Sequence, residues 1–189
     1  MPTLTILIIR HAEKPGESWR GPGLTPDGAV DDKSLVVRGW QRAGAWSALF
    51  GTGLNKADYP QPSKIYAADP AGTGGEDPSR RPWETIAPLA DRLGLQVDKT
   101  YALGQEQQLV TTVLNQAGVM LIAWEHKAIV GKIVPKITNR RPLPGLPANW
   151  DRNRFDVVLR FDRASPGDSW SFRQLFPCLL SGDSTTPLE

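Results

Sequence analysis

The sequence predicts an α/β fold: a three-layer αβα sandwich with a mostly parallel central sheet and an antiparallel edge strand, forming a single domain over residues 1–189. Three observations predict it. β-rich runs alternate with stretches of helical periodicity, as strand–helix–strand units require. The run Val119–Ala123 is continuously apolar, as a strand covered on both faces must be. Two β-rich runs, Asp156–Phe161 and Trp170–Leu175, flank a turn at Pro166-Gly167-Asp168 and read as an antiparallel hairpin.

The elements follow in order. Thr3–Ile9 is the first strand. Ser34–Phe50 carries apolar residues at near-helical spacing and stops before Gly51 and Gly53. Lys64–Ala68 is the second strand, and Pro82–Leu93 a helix with proline at its opening and Gly94 at its end. A short strand at Leu95–Lys99 precedes a helix at Glu106–Gln116, which Gly118 separates from the buried strand. Lys127–Ile137 is helical, with Pro135 expected to end or kink it. Three long loops remain, Pro15–Lys33, Asp69–Ser79 and Pro142–Arg154, and loops of that length in a compact domain are often functional.

Composition narrows the function classes. Hydrophobic residues make up 40% and charged residues 22% of the 189 positions, and the net charge is only +2. No basic run marks a nucleic-acid or membrane-surface protein. The one cysteine, Cys178, has no intrachain disulfide partner and cannot build a zinc site alone, which favours a reducing, cytoplasmic setting. The apolar run Leu4–Ile9 is too short for the core of a secretory signal or for a membrane span.

The chemistry gathers at strand ends. The first strand runs into Arg10-His11-Ala12-Glu13-Lys14, and the buried strand runs into Trp124-Glu125-His126. These are the only two histidines in the chain. Both follow apolar strands, at the edge where a parallel sheet presents its site. Arg81 opens a helix, with Thr85 one turn on. Cations are unfavourable at a helix start, which argues for a functional reason; neighbouring Arg80 competes for the role, and Arg81 is preferred. Two imidazoles and two guanidiniums suit a tetrahedral dianion, because arginine offers planar forks of donors and a neutral histidine can attack phosphorus.

Other patterns carry less. Gly72-Thr73-Gly74-Gly75 lacks the Gly-Lys-Ser/Thr ending of a phosphate-binding P-loop and reads as an insertion. His11-Ala12-Glu13 has the His-x-Glu form of zinc deaminases, but Pro177-Cys178-Leu179-Leu180 lacks their second cysteine, so no metal is expected. The seven tryptophans read as core or loop anchors, with Trp124 and Trp150 as candidate pocket walls. Glu13 and Lys14 are expected to pair with each other or with solvent.

In order and context these residues resemble the histidine phosphatase superfamily, which includes the cofactor-dependent phosphoglycerate mutases. Arg10-His11-Ala12 matches its Arg-His-Gly, with alanine for glycine. Arg81-Pro82-Trp83-Glu84-Thr85 matches its Arg-x-x-x-Thr and His126 its second strand-end histidine, and Leu35-Val36-Val37-Arg38-Gly39-Trp40-Gln41-Arg42-Ala43 looks like its Leu-Thr-x-x-Gly-x-x-Gln-Ala helix start. The four motifs cover roughly residues 4 to 135.

The resemblance implies a phosphoglycerate mutase-like fold and a phosphatase acting on a phosphomonoester or phosphoramidate. His11 would become phosphohistidine, and Arg10, Arg81 and His126 would bind the phosphoryl group. Glu106 matches the mutase branch's proton donor loosely, and Glu125 is a further candidate. Another branch places an aspartate directly after the second histidine, where this chain has Lys127; members that cleave phosphohistidine need no strong acid. The expected partner is a small phosphorylated substrate or a phosphoprotein, with no cofactor, nucleic acid or membrane. A phosphoglycerate-type mutase and a non-catalytic phospholigand-binding domain are the alternatives.

Overall fold

The computed structural model describes residues 3–16, 18–53, 57–72 and 78–189. The loop motif at positions 73–75 lies outside them. Six strands form one sheet: β1 (Leu4–Arg10), β2 (Lys64–Ala67), β3 (Val97–Asp98), β4 (Gly118–Trp124), β5 (Val158–Arg163) and β6 (Ser171–Leu175). Their order is β3-β2-β4-β1-β5-β6. The first four in that order run parallel, β5 is antiparallel to β1, and β6 is antiparallel to β5. The expected hairpin is therefore present, and it makes β5 the reversed strand, inside the sheet, with β6 at the edge.

Alternating side chains of each strand feed two cores. Leu4, Ile6 and Ile8 of β1 join Met120, Ile122 and Trp124 of β4 on one face. There they meet Leu109, Val110 and Val113 of helix α3 (Glu106–Leu114). On the other face Leu7, Ile9, Leu121 and Ala123 meet Trp46 and Phe50 of α1 (Val37–Gly51) and Ile86 and Leu89 of α2 (Arg81–Leu93). Burying each such side chain stabilises the fold by about 1.5–3 kcal/mol. That packing carries α2 straight through Pro88, where the missing N–H costs a helix bond.

Most boundaries differ from expectation by one to three residues, and two of the differences have clear physical reasons. α1 starts at Val37 rather than Ser34, because the Ser34 hydroxyl is drawn away, 2.6 Å from both the Asp31 and Glu84 carboxylates. The helix after β4 is α-helical at α4 (His126–Ala128), π-helical over Ile129–Ile133, and α-helical again at α5 (Val134–Ile137). Val134 N–H reaches back to the Ile129 carbonyl. The wider turn sits just before Pro135, whose ring leaves no room for a regular bond to the preceding turn.

Candidate active site

Sheet register sets the site. Arg10 of β1 pairs with Trp124 of β4, and His11 N–H donates to the Trp124 carbonyl at 3.0 Å. The residues just past each strand, His11 on one and Glu125-His126 on the other, are thus neighbours at the carboxyl edge of the sheet.

His11 is 5% exposed. Its Nδ1 lies 2.8 Å from the Ala12 carbonyl oxygen, which only accepts, so Nδ1 carries the proton and Nε2 keeps its lone pair. Burial first, then the nearby Arg10, hold its pKa well below the ordinary value, despite the Ala12 hydrogen bond; Arg81 and His126 push it down further. The ring is a neutral imidazole beside the guanidiniums of Arg10 and Arg81. Arg10, Arg81 and His126 all act on it electrostatically, so the structure brings these four side chains into one neighbourhood.

Arg10 is 1% exposed. One terminal nitrogen donates to the carbonyls of Asp151, Arg152 and Arg154 at 3.3, 2.6 and 3.1 Å. Its guanidinium carbon stands 3.9 Å from the centre of the Phe155 ring. Arg10 thus fastens the loop before β5 to the end of β1. Its Nε is buried without a hydrogen-bond partner among the described residues. Burial pushes its pKa down to about 10, with Glu125, Glu13 and Asp151 pulling the other way.

The Arg-x-x-x-Thr pattern has a mechanical meaning here. Thr85 Oγ1 donates to the Arg81 carbonyl at 2.7 Å and accepts from Ala12 N–H at 2.8 Å. It pins the residue after His11 to the first turn of α2. Arg81 is half-buried, and its guanidinium donates to the Asp32 carbonyl at 2.5 Å. Arg80 is exposed and lies 3.7 Å from Asp31. Gly39 is required for packing: a Cβ there would stand 2.4 Å from the Glu13 carbonyl oxygen, so only glycine lets α1 come this close to the end of β1.

His126 opens α4, and Glu125 caps it, with Oε2 accepting from Ala128 N–H at 2.8 Å. Glu125 Oε1 lies 2.7 Å from His126 Nδ1. Burial opposes the Glu125 charge, but His126 and the amides of Lys127 and Ala128 outweigh it and push the pKa down to about 2. Glu125 is an ionised partner that holds the second histidine.

Glu106 lies elsewhere in the arrangement. It is 1% exposed at the start of α3. Oε1 accepts from the Trp124 indole and from Gly104 N–H, both at 3.0 Å, while Oε2 lies 3.5 Å from Lys132 Nζ. Of the expected site residues, Arg10 and His126 line the cleft described below, and His11, Arg81 and Glu106 do not.

Glu13 does not pair with Lys14 or with solvent, as the sequence suggested. It is fully buried, and Arg42 of α1 grips it with Nε–Oε1 and Nε–Oε2 distances of 3.0 Å. Arg42 also holds Asp183, at 2.7 and 3.1 Å, and Arg38 approaches Glu13 at 3.3 Å. Burial works against the Arg42 charge, but the bonds to Asp183 and Glu13 prevail and raise its pKa.

A cleft of about 400 Å³ opens over this edge, with Arg10, Lys14, Trp19, His126, Arg152 and Phe155 in its wall. A larger cavity of about 520 Å³ lies at the opposite edge of the sheet, beside Arg163 and Trp170, and contains neither histidine. Trp124 and Trp150, the candidate pocket walls, are core residues whose indole N–H groups bond Glu106 and the Arg154 carbonyl. The aromatic wall is instead Trp19 and Phe155, packed edge-on at 6.2 Å. Both fall next to or within the long loops flagged as functional, but nothing in their own sequence context singles them out. Among the described residues no cluster of histidine, cysteine and acidic side chains has the makings of a metal site.

The fold is that of the phosphoglycerate mutase-like α/β proteins, as the motifs implied. Solved structures share that fold. One is a mycobacterial hydrolase, 15% identical, with a TM-score of 0.52 over 92% of this chain and 90% of that one. Another is the native mycobacterial glucosyl-3-phosphoglycerate phosphatase, also 15% identical, with a TM-score of 0.53 over 92% of this chain and 98% of that one. At that identity the likeness is one of fold. No family model matches the sequence, and no curated protein matches it. Among the described residues no helix is long and apolar enough to cross a membrane.

Proposed function

We propose that the chain is a histidine phosphatase, an enzyme that hydrolyses a phosphomonoester or phosphoramidate through a phosphohistidine on His11. The observation that carries it is the state of His11: neutral, with its proton tied at Nδ1 to the Ala12 carbonyl, so that Nε2 is the nucleophilic nitrogen. Arg10, Arg81 and His126 bind the phosphoryl oxygens and stabilise charge as the bond breaks. Glu125 keeps His126 oriented and polarised. The leaving group takes its proton from water rather than from Glu106, because the Glu106 carboxylate is enclosed and engaged with Trp124 and Gly104. Water then attacks the phosphoenzyme, releasing phosphate and returning the electron pair to Nε2.

The test is a rapid-quench experiment with radiolabelled substrate on the wild type and His11→Asn. The wild type should yield an acid-labile phosphoenzyme. The variant should yield none and lose about 10⁴-fold or more in turnover while keeping its fold. Near-normal turnover by His11→Asn would refute the assignment.

A further inference from the structure

The mouth of the cleft holds more positive charge than one phosphoryl group uses. Lys14, Lys127 and Arg152 line it alongside Arg10, and all three are exposed. Lys14 is held below its ordinary pKa by burial and then by Arg81 and Arg10, with Lys127 adding to the repulsion. These cations crowd one another. Nearby carboxylates are otherwise occupied: Glu125 by His126 and the α4 amides, and Asp151 in part by Asn153 N–H.

In-line displacement places the leaving group opposite the attacking nitrogen. His11 is 5% exposed and lies near Arg10 and His126, which line the cleft, so the open way out for a leaving group is through the cleft, whose lining includes Lys127. That exit presents cations and no available carboxylic acid. An alkoxide needs a proton there. An imidazole released from phosphohistidine carries no negative charge for the cations to hold. A leaving phosphate is stable as its anion, needs no acid, and is attracted by all three cations.

Resting on the phosphatase assignment and narrowing it, we propose that the substrate is a phosphoanhydride, whose terminal phosphate sits at Arg10, Arg81 and His126 and whose leaving phosphate is held by Lys127 with Lys14 and Arg152. The His11 Nε2 lone pair forms the N–P bond. The bond from phosphorus to the bridging oxygen breaks, and its electron pair leaves on the departing phosphate. Water then cleaves the P–N bond, giving orthophosphate and returning the pair to Nε2; its spare proton passes to solvent.

The experiment compares kcat/KM for tripolyphosphate, p-nitrophenyl phosphate and glycerol 3-phosphate in the wild type and Lys127→Gln, with the phosphoenzyme trapped in parallel. p-Nitrophenyl phosphate has a good leaving group but no second phosphate, so it separates leaving-group ability from the proposed subsite. Tripolyphosphate should exceed p-nitrophenyl phosphate by about 10-fold and glycerol 3-phosphate by about 100-fold. Lys127→Gln should cut the ratio of tripolyphosphate to p-nitrophenyl phosphate by about 10-fold. An unchanged ratio in Lys127→Gln, or glycerol 3-phosphate turned over as well as tripolyphosphate, overturns the anhydride proposal while a trapped phosphoenzyme keeps the phosphatase assignment. Failure to trap a phosphoenzyme with any of the three overturns both.

Discussion

Two groups of charges flank the end of β1, and they are built on opposite plans. On one side Glu13, Arg42 and Asp183 form a closed triad in which each charge meets its opposite within 3.1 Å and Arg42 is almost wholly buried. On the other side Arg10, Lys14, Lys127 and Arg152 surround a cleft with few acids to answer them. A charge taken out of water must be paired, and one left in water need not be. The triad is therefore architecture. In the cleft Lys14, Lys127 and Arg152 are exposed and screened by solvent, while the buried Arg10 is held by three carbonyls and the Phe155 ring. A net charge of +2 conceals this division entirely.

Breaking the triad should give the largest change in stability. Arg42→Met leaves Glu13 buried with Arg38, at 3.3 Å, as its remaining ion-pair partner among the described residues and should cost about 3–5 kcal/mol in urea unfolding. Lys127→Gln, which removes a cation from the other group, should stay within about 0.5 kcal/mol of the wild type. Equal losses in the two variants would erase the distinction.

Thr85→Val sharpens the comparison at the joint between the two groups. It strips the acceptor from the Ala12 amide and should cost about 1–3 kcal/mol. It should also lower kcat, because the turn that aims His11 loses its tie to α2. A Thr85→Ser variant should restore most of both.

The smallest expected effect is on pH dependence. His11 binds protons less readily in the folded chain than its ordinary value of 6.5 implies. As pH falls through that value, the unfolded chain takes up a proton that the folded chain refuses, so stability declines on the acid side. His11→Asn should flatten that decline in thermal scans run stepwise below pH 6.5. A wild-type profile no steeper than the variant's would show that the imidazole is not held neutral.

Much of the fold was legible, because β1 and β4 are apolar on both faces and leave a parallel sheet little alternative. The positions of His11 and His126 followed from the same runs, since a strand end is visible in sequence. The π-helical turn before Pro135 was not, because a proline signals a disturbance without specifying how the backbone absorbs it. Lys14 and Lys127 were readable as departures or neighbours of motifs, but their shared cleft was not. Trp19, Arg152 and Phe155 come from loops whose path is set by tertiary ties, chiefly the grip of Arg10 on three carbonyls. Glu13 was misplaced for a related reason: its partner Arg42 is 29 positions away, and Asp183, which shares that arginine, is 170 positions away, beyond the reach of local pattern.

Those ties have a consequence for biosynthesis and folding. Arg10 meets its loop across separations of 141, 142 and 144 positions, and Arg42 meets Asp183 across 141. Contacts that close such long spans form late, after local helices and strand pairs. A ribosome-bound chain that has already emerged past His126 would carry both histidines yet lack the wall that shapes their cleft. Competence should thus arrive all at once, when the final strands and the tail behind them dock.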